Sequence, residues 1–155
     1  MASPLLVSAE QIISPMREGL PTRGKTGACI ERVESDLVTT LAWFQSGDQA
    51  LCLVSGPLET RTLEFRPLLL QGLAERLSIA PSRILLSCDH NHSVPNVTHP
   101  QRYDYETRER PAPDPQYLTE VGRDLLENLF RAAETLREKA QPAWVYFGTA
   151  EERRV

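Results

Sequence analysis

The sequence has no excess of positive charge. Its 17 lysines and arginines stand against 21 aspartates and glutamates, a formal net charge of −4. A general nucleic-acid binder neutralises phosphates over a basic surface, so this composition argues against one. Arg108 and Arg110 are interleaved with acids and read as solvated surface. No stretch approaches the roughly 20 apolar residues that span a bilayer, so no transmembrane segment is expected. Met1-Ala2-Ser3-Pro4 carries no basic residue, and the run Leu5 to Val7 is too short for the apolar core of a signal peptide. A cytoplasmic location is the expectation. Cysteine is scarce and odd in number: Cys29, Cys52 and Cys88 are scattered, with no C-x-x-C, which argues for reduced thiols and against a disulfide framework. There is no P-loop, no G-x-G-x-x-G and no G-x-S-x-G elbow. Internal repeats, heptads and low-complexity segments are also lacking.

What is present is an ordinary globular composition, 41% apolar and 25% charged over 155 residues. That length suits a single domain, 1–155, around one core. The apolar residues from Leu5 to Ile13 read as a strand closed by Ser14-Pro15, and 17–33 as loop. Val38, Thr39, Thr40, Trp43 and Phe44 place a strand over 36–44, rich in β-branched and aromatic residues. A turn at Ser46-Gly47-Asp48-Gln49 joins it to the apolar run Ala50 to Val54, making a hairpin. Leu69, Leu70, Leu73 and Leu77 recur at helical spacing, so a helix is expected to begin near Arg66 or Pro67, since proline is tolerated only in a first turn. Arg83 to Cys88 reads as a buried strand. Five prolines punctuate 89–116, a long loop of the kind that is commonly functional. Leu118, Val121, Leu125, Leu129, Ala132 and Leu136 predict a second helix over 117–139. A last strand is expected over 143–147. This alternation predicts an α/β fold: a mixed, partly parallel sheet with two main helices.

All three histidines fall within ten residues: His90, His92 and His99. They follow the strand ending at Cys88, and ligands of open α/β sheets bind outside the carboxyl ends of strands. His90 and His92 are two apart, so an extended backbone sends both side chains from one face. Two neutral imidazoles so placed suit zinc, iron or nickel, with Asp89 as a carboxylate able to orient one of them. Catalytic zinc needs three protein ligands and an open position; His99 or a distant residue would supply the third. An H-x-H alone fits a polar surface loop equally well, and His99 alone fits it better.

The segment Ser87-Cys88-Asp89-His90-Asn91-His92-Ser93-Val94-Pro95 resembles the H-x-H-S-x-P segment of the neutral/alkaline ceramidases, zinc-dependent amidases. Ile12-Ile13-Ser14-Pro15, Leu51 to Ser55, Ile79-Ala80-Pro81-Ser82-Arg83-Ile84 and Tyr117 to Phe147 resemble neighbouring segments of that family in the same order. The resemblance covers most of this chain but only the beginning of the family's catalytic domain. It implies that His90 matches a zinc ligand and that His92 matches the neighbouring histidine facing the substrate, a catalytic position. It implies zinc as cofactor and a small-molecule or lipid amide as substrate. Val94 stands where the family has glycine, and no histidine follows His99, so the family's other ligands have no counterpart here.

Three readings follow from these residues. The first is a short, site-incomplete amide hydrolase of the ceramidase type. The second is a non-catalytic relative that binds a ligand or partner through 89–116. The third is a small metalloenzyme using His90, His92 and His99 together. A homo-oligomer that completes the site across chains is compatible with all three. Cys88 and Ser93 stand near the histidines, but Cys88 continues an apolar strand, where thiols are inert, and Ser93 has no nucleophile elbow. Asp104 and Glu106 lie in a charge run, and Tyr103 and Tyr105 serve equally as pocket wall or loop anchor. Trp43, Phe44, Trp144 and Phe147 are expected in the core.

Overall fold

The computed structural model describes residues 4–22, 28–57, 65–89, 91, 93–99, 114–146 and 148–150. Five strands form one sheet: β1 (Leu5–Ser14), β2 (Leu37–Ser46), β3 (Gln49–Gly56), β4 (Ile84–Cys88) and β5 (Gln141–Ala143). Their order is β4-β3-β2-β1-β5. β3 and β4 are parallel, and the other neighbours are antiparallel. Among the described residues two α-helices complete the fold, α1 (Phe65–Leu77) between the parallel strands and α2 (Glu120–Leu136) before β5. The fold is the mixed α/β architecture that the sequence predicts.

The β2–β3 hairpin turns through Gly47 and Asp48, with Ser46 facing Gln49. Gly47 has φ +61°, the left-handed conformation a two-residue hairpin demands and glycine supplies without strain. Alternation then sorts the sheet. Thr39, Leu41, Trp43, Cys52, Val54 and Ile84 point to the helical side and are buried. Both helices lie against that side. α1 contributes Phe65, Leu69, Leu73 and Leu77, a strict four-residue repeat. Leu70, expected on this stripe, is only half-buried, because it sits about 100° round the helix from Leu69. α2 contributes Leu125, Leu126, Leu129, Ala132, Ala133 and Leu136. The end of α2 is pinned to β1 and β2. Ser8 Oγ donates to the Leu136 carbonyl, Lys139 pairs with Glu10, and the Arg137 guanidinium lies 5.6 Å from the Trp43 ring centre.

Among the described residues no helix lies on the opposite side of the sheet. Across its strands run Val7, Phe44 and Leu51; then Ala9, Ala42, Leu53 and Leu85; then Gln11, Thr40, Ser55 and Ser87; then Ile13 and Val38. None of the outward positions of β1 to β4 carries a charge.

The structure differs from the sequence reading most clearly at α2, at the last strand and over 17–33. Helix α2 starts at Glu120, not at 117. Asp114 accepts from the Gln116 amide to shape a tight turn over Pro115–Tyr117, and Thr119 then caps the helix by accepting from Gly122 N. Leu118 is buried ahead of the helix rather than within it. The last strand is Gln141–Ala143, not 143–147. Ala143 already faces Leu5, the first residue of β1, and Pro4 before it offers no N–H to continue the ladder. Trp144, expected in the core, is 87% exposed, and Tyr146 is exposed too; Phe147 lies outside the described residues. Finally, the 17–33 region contains order that periodicity does not reveal: Gly19 N donates to Ile30 O, Ile30 N to Leu20 O and Thr22 N to Ala28 O.

Candidate functional site at the carboxyl end of the parallel strands

β3 and β4 end side by side, with Gly56 opposite Cys88. Antiparallel pairing brings the end of β1 and the start of β2 to the same edge, and Met16 N donates to Asp36 Oδ1 at 2.9 Å across that junction. The chain leaving β4 passes through Asp89, which is exposed. His90 and His92 lie outside the described residues, as do 100–113, which include Asp104, Glu106, Tyr103 and Tyr105. Asn91 Oδ1 accepts the Ser93 amide at 2.8 Å, an Asx turn that bends the chain within the motif.

The segment after the turn is packed. Val94 is 2% exposed, and Val97 and Thr98 are also buried. Where the ceramidase motif has glycine, this chain has a side chain that fills core volume. Main-chain bonds hold the segment from two sides. Asn96 N donates to Pro21 O on one side. On the other, Thr119 N donates to Val97 O, Thr119 Oγ1 donates to Asn96 O at 2.7 Å, and His99 N donates to Tyr117 O. Thr119 thus both caps α2 and holds the histidine segment. Gly122 permits the approach: a Cβ there would stand 2.0 Å from the Val97 carbonyl oxygen. Residues 96–99 are therefore held to the body of the fold.

Beside it lies a cavity of about 340 Å³, lined by Asn91 and Ser93 from the histidine segment, Met16, Ile30, Val33 and Leu37 as apolar wall, and Arg32, Glu34 and Ser35. Arg32 and Glu34 form an exposed ion pair. This cavity is an open groove with an apolar floor and a polar, charged rim. Residues 28–36 and Asn91 carry no periodicity or motif that would mark them. Their position is set by long-range bonds, and only the adjacency of Asn91 and Ser93 to His92 hints at it.

The metal-ligand expectations are placed unevenly. His99 is exposed, with its main chain bonded to Tyr117. Among the described residues no group of three or more His, Cys, Asp or Glu side chains converges on a point. Cys52 is wholly buried, and burial pushes its thiol up to about 12, which leaves it protonated and unreactive. Cys88 packs against the core from the helical side of β4.

The fold is similar to part of a neutral ceramidase. The crystal structure of neutral ceramidase from Pseudomonas aeruginosa superposes with a TM-score of 0.63 at 12% identity, over 90% of this chain and 22% of that one. This chain thus spans about a fifth of the ceramidase. At that identity the likeness establishes the fold. No family model and no curated protein sequence matches.

Among the described residues no helix is long and apolar enough to cross a membrane.

Proposed function

We propose that this chain carries the first ligand segment of a ceramidase-type, zinc-dependent amide hydrolase, with His90 as a zinc ligand and His92 facing the substrate. One conjunction carries the reading: the H-x-H-S-x-P segment follows the last residue of a parallel strand, in a fold that superposes on neutral ceramidase over 90% of this chain. The donors are of the right kind, since neutral imidazoles suit zinc. They are too few to close a site, which takes three protein ligands. His99 is the candidate third donor within this sequence. The others come from undescribed residues, from further chain or from a second chain. Zinc, when bound, polarises an amide carbonyl and lowers the pKa of water. The chain's own residues set the stage: Asn91 Oδ1 accepts from Ser93 N, and the cavity that these two residues line offers Met16, Ile30, Val33 and Leu37 to an apolar part of the substrate. A small-molecule or lipid amide fits such a wall.

The test is hydrolysis of a fluorogenic N-acyl amide by zinc-supplemented protein. Activity in the wild type, lost in His90→Ala, is the expected result. Activity retained in His90→Ala would overturn the assignment. Loss in His99→Ala as well would identify His99 as the third ligand.

A second reading rests on the same shortfall of donors and on the 22% coverage. In it the chain keeps the fold and uses the cavity beside Asn91 to bind a ligand or partner without catalysis. Zinc-independent ligand binding that survives His90→Ala, with no hydrolysis under any metal condition, is what that reading expects.

A further inference from the structure

The groove beside the histidine segment has walls from distant parts of the chain. Asn91 and Ser93 form one, and Ile30 and Val33 form much of the other. The second wall belongs to the connection between β1 and β2, described over 15–22 and 28–36. At its base Met16 N donates to Asp36 Oδ1 at 2.9 Å. At the histidine segment it is met by Asn96. Asn96 N donates to Pro21 O at 2.9 Å, and Asn96 Nδ2 donates to Thr22 O at 3.4 Å, two consecutive carbonyls of the connection. Pro95 and Thr22 also face each other in an antiparallel bridge. The Asn96 carbonyl accepts from Thr119 Oγ1 at 2.7 Å. One half-buried residue thus joins the connection, the histidine segment and the start of α2. The route from Asn96 to either wall is short. On one side only Val94 and Pro95, both buried, separate it from Ser93. On the other, Thr22 N to Ala28 O and Ile30 N to Leu20 O carry the placement of Pro21 and Thr22 across to Ile30.

We propose that Asn96 is a positioning residue for this groove: its side-chain amide holds the wall over 28–36 in place against the segment that carries His90 and His92. The inference rests on the reading above, in which the groove receives an apolar part of the substrate. Two of the Asn96 bonds use main-chain atoms that any residue but proline supplies. Only the Nδ2 bond requires asparagine. The Arg17–Glu120 ion pair also ties the connection to α2, but both side chains are exposed, and such pairs hold little. Removing the Asn96 amide leaves the main-chain bonds of 96–99 intact and frees the apolar wall. The substrate then loses contacts that it makes equally before and during the reaction. Loss of such uniform binding raises KM and leaves kcat unchanged.

The experiment compares the wild type with Asn96→Ala and Asn96→Asp, each as the full, zinc-supplemented chain. Asn96→Asp keeps the shape of the side chain and removes the donor, so an effect common to both variants belongs to the bond rather than to a void. Hydrogen exchange by mass spectrometry reads the wall itself. Peptides carrying Gly19, Thr22 and Ile30, whose amides pair the two stretches of the connection, are expected to exchange roughly tenfold faster in both variants, about the worth of one hydrogen bond. Exchange in α1 and the β2–β3 hairpin is expected to stay as in the wild type. Hydrolysis of a fluorogenic N-acyl amide reads the consequence: KM is expected to rise roughly tenfold, with kcat and zinc content unchanged. Should Asn96→Ala fail to fold, Asn96→Asp carries both measurements. Unchanged exchange in the connection overturns the proposal. So does exchange that quickens equally in α1 and the hairpin, which would make Asn96 a general stabiliser, and so does an unchanged KM or a fall in kcat alone. A wild type that hydrolyses no amide removes the zinc-hydrolase reading instead, and the exchange measurement then decides this inference by itself.

Discussion

Replacing Gly122 by alanine adds a single methyl group and is expected to loosen the whole histidine segment. In an open helix the change stabilises by about 0.8–1.0 kcal/mol, because glycine gives up more backbone freedom than alanine on folding. At this position the new Cβ stands 2.0 Å from Val97 O, 2.9 Å from Val97 C and 3.2 Å from Val97 Cα. All three are backbone atoms, so no side-chain rotation relieves the clash, and the segment must move by well over an ångström. Overpacking of this sort costs about 1–3 kcal/mol. The movement also strains two hydrogen bonds, Thr119 N to Val97 O and Thr119 Oγ1 to Asn96 O, each contributing about 1 kcal/mol. The net expectation is a loss of about 2–3 kcal/mol, or about 5–10 °C in midpoint for a chain of this length. Gly72→Ala provides the contrast. Its Cβ would meet the Phe130 ring, Cζ at 2.2 Å, but that ring is the far end of a half-buried side chain and can swing away. Thermal and urea melts of both variants measure the difference. A Gly122→Ala protein as stable as the wild type, or no less stable than Gly72→Ala, would refute the packing of Val97 on α2.

Other substitutions test neighbouring parts of the account. Ser78 has φ +54° at the end of α1, where Ile79 N reaches back to Ala74 O and Ser78 N to Glu75 O, the arrangement in which glycine is favoured; Ser78→Gly should raise stability by about 1 kcal/mol in urea melts. Thr119→Ala removes a helix cap and the donor to Asn96 O, and should cost about 1–2 kcal/mol, whereas Thr119→Ser should recover most of it. The raised Cys52 pKa has a definite sign. The unfolded thiol ionises near 9.0 and the folded one near 12, so its contribution to stability is intact below pH 9 and is lost as pH rises from there towards 12. Cys52→Val should flatten the fall in stability over that window, measured by urea melts at stepped pH.

Much of the fold is legible in the sequence because short-range signals carry it. The hairpin is announced by Gly47-Asp48 between two β-rich runs, and the parallel pair by a leucine-rich helix between two apolar strands. The start of α2 is not, since Tyr117 and Leu118 continue the apolar run while Thr119, a residue with two simultaneous hydrogen-bonding duties, sets the boundary. Nor is the exposure of Trp144 and Tyr146, which depends on where β1 begins rather than on their own character. For the site, the position of the histidine segment at the end of β4 is readable from strand order alone. The cavity wall from Met16 to Leu37 is not, because bonds between residues distant in sequence shape it. The charge-free outer face becomes visible only once register assigns alternate residues to two sides.

The central claim is that His90 belongs to a zinc site, and zinc per chain, by elemental analysis of purified protein after supplementation and desalting, tests it most directly. The account predicts about one zinc per chain in the wild type and near none in His90→Ala, with both proteins equally folded. Equal zinc in the two proteins, or none in either, would contradict it.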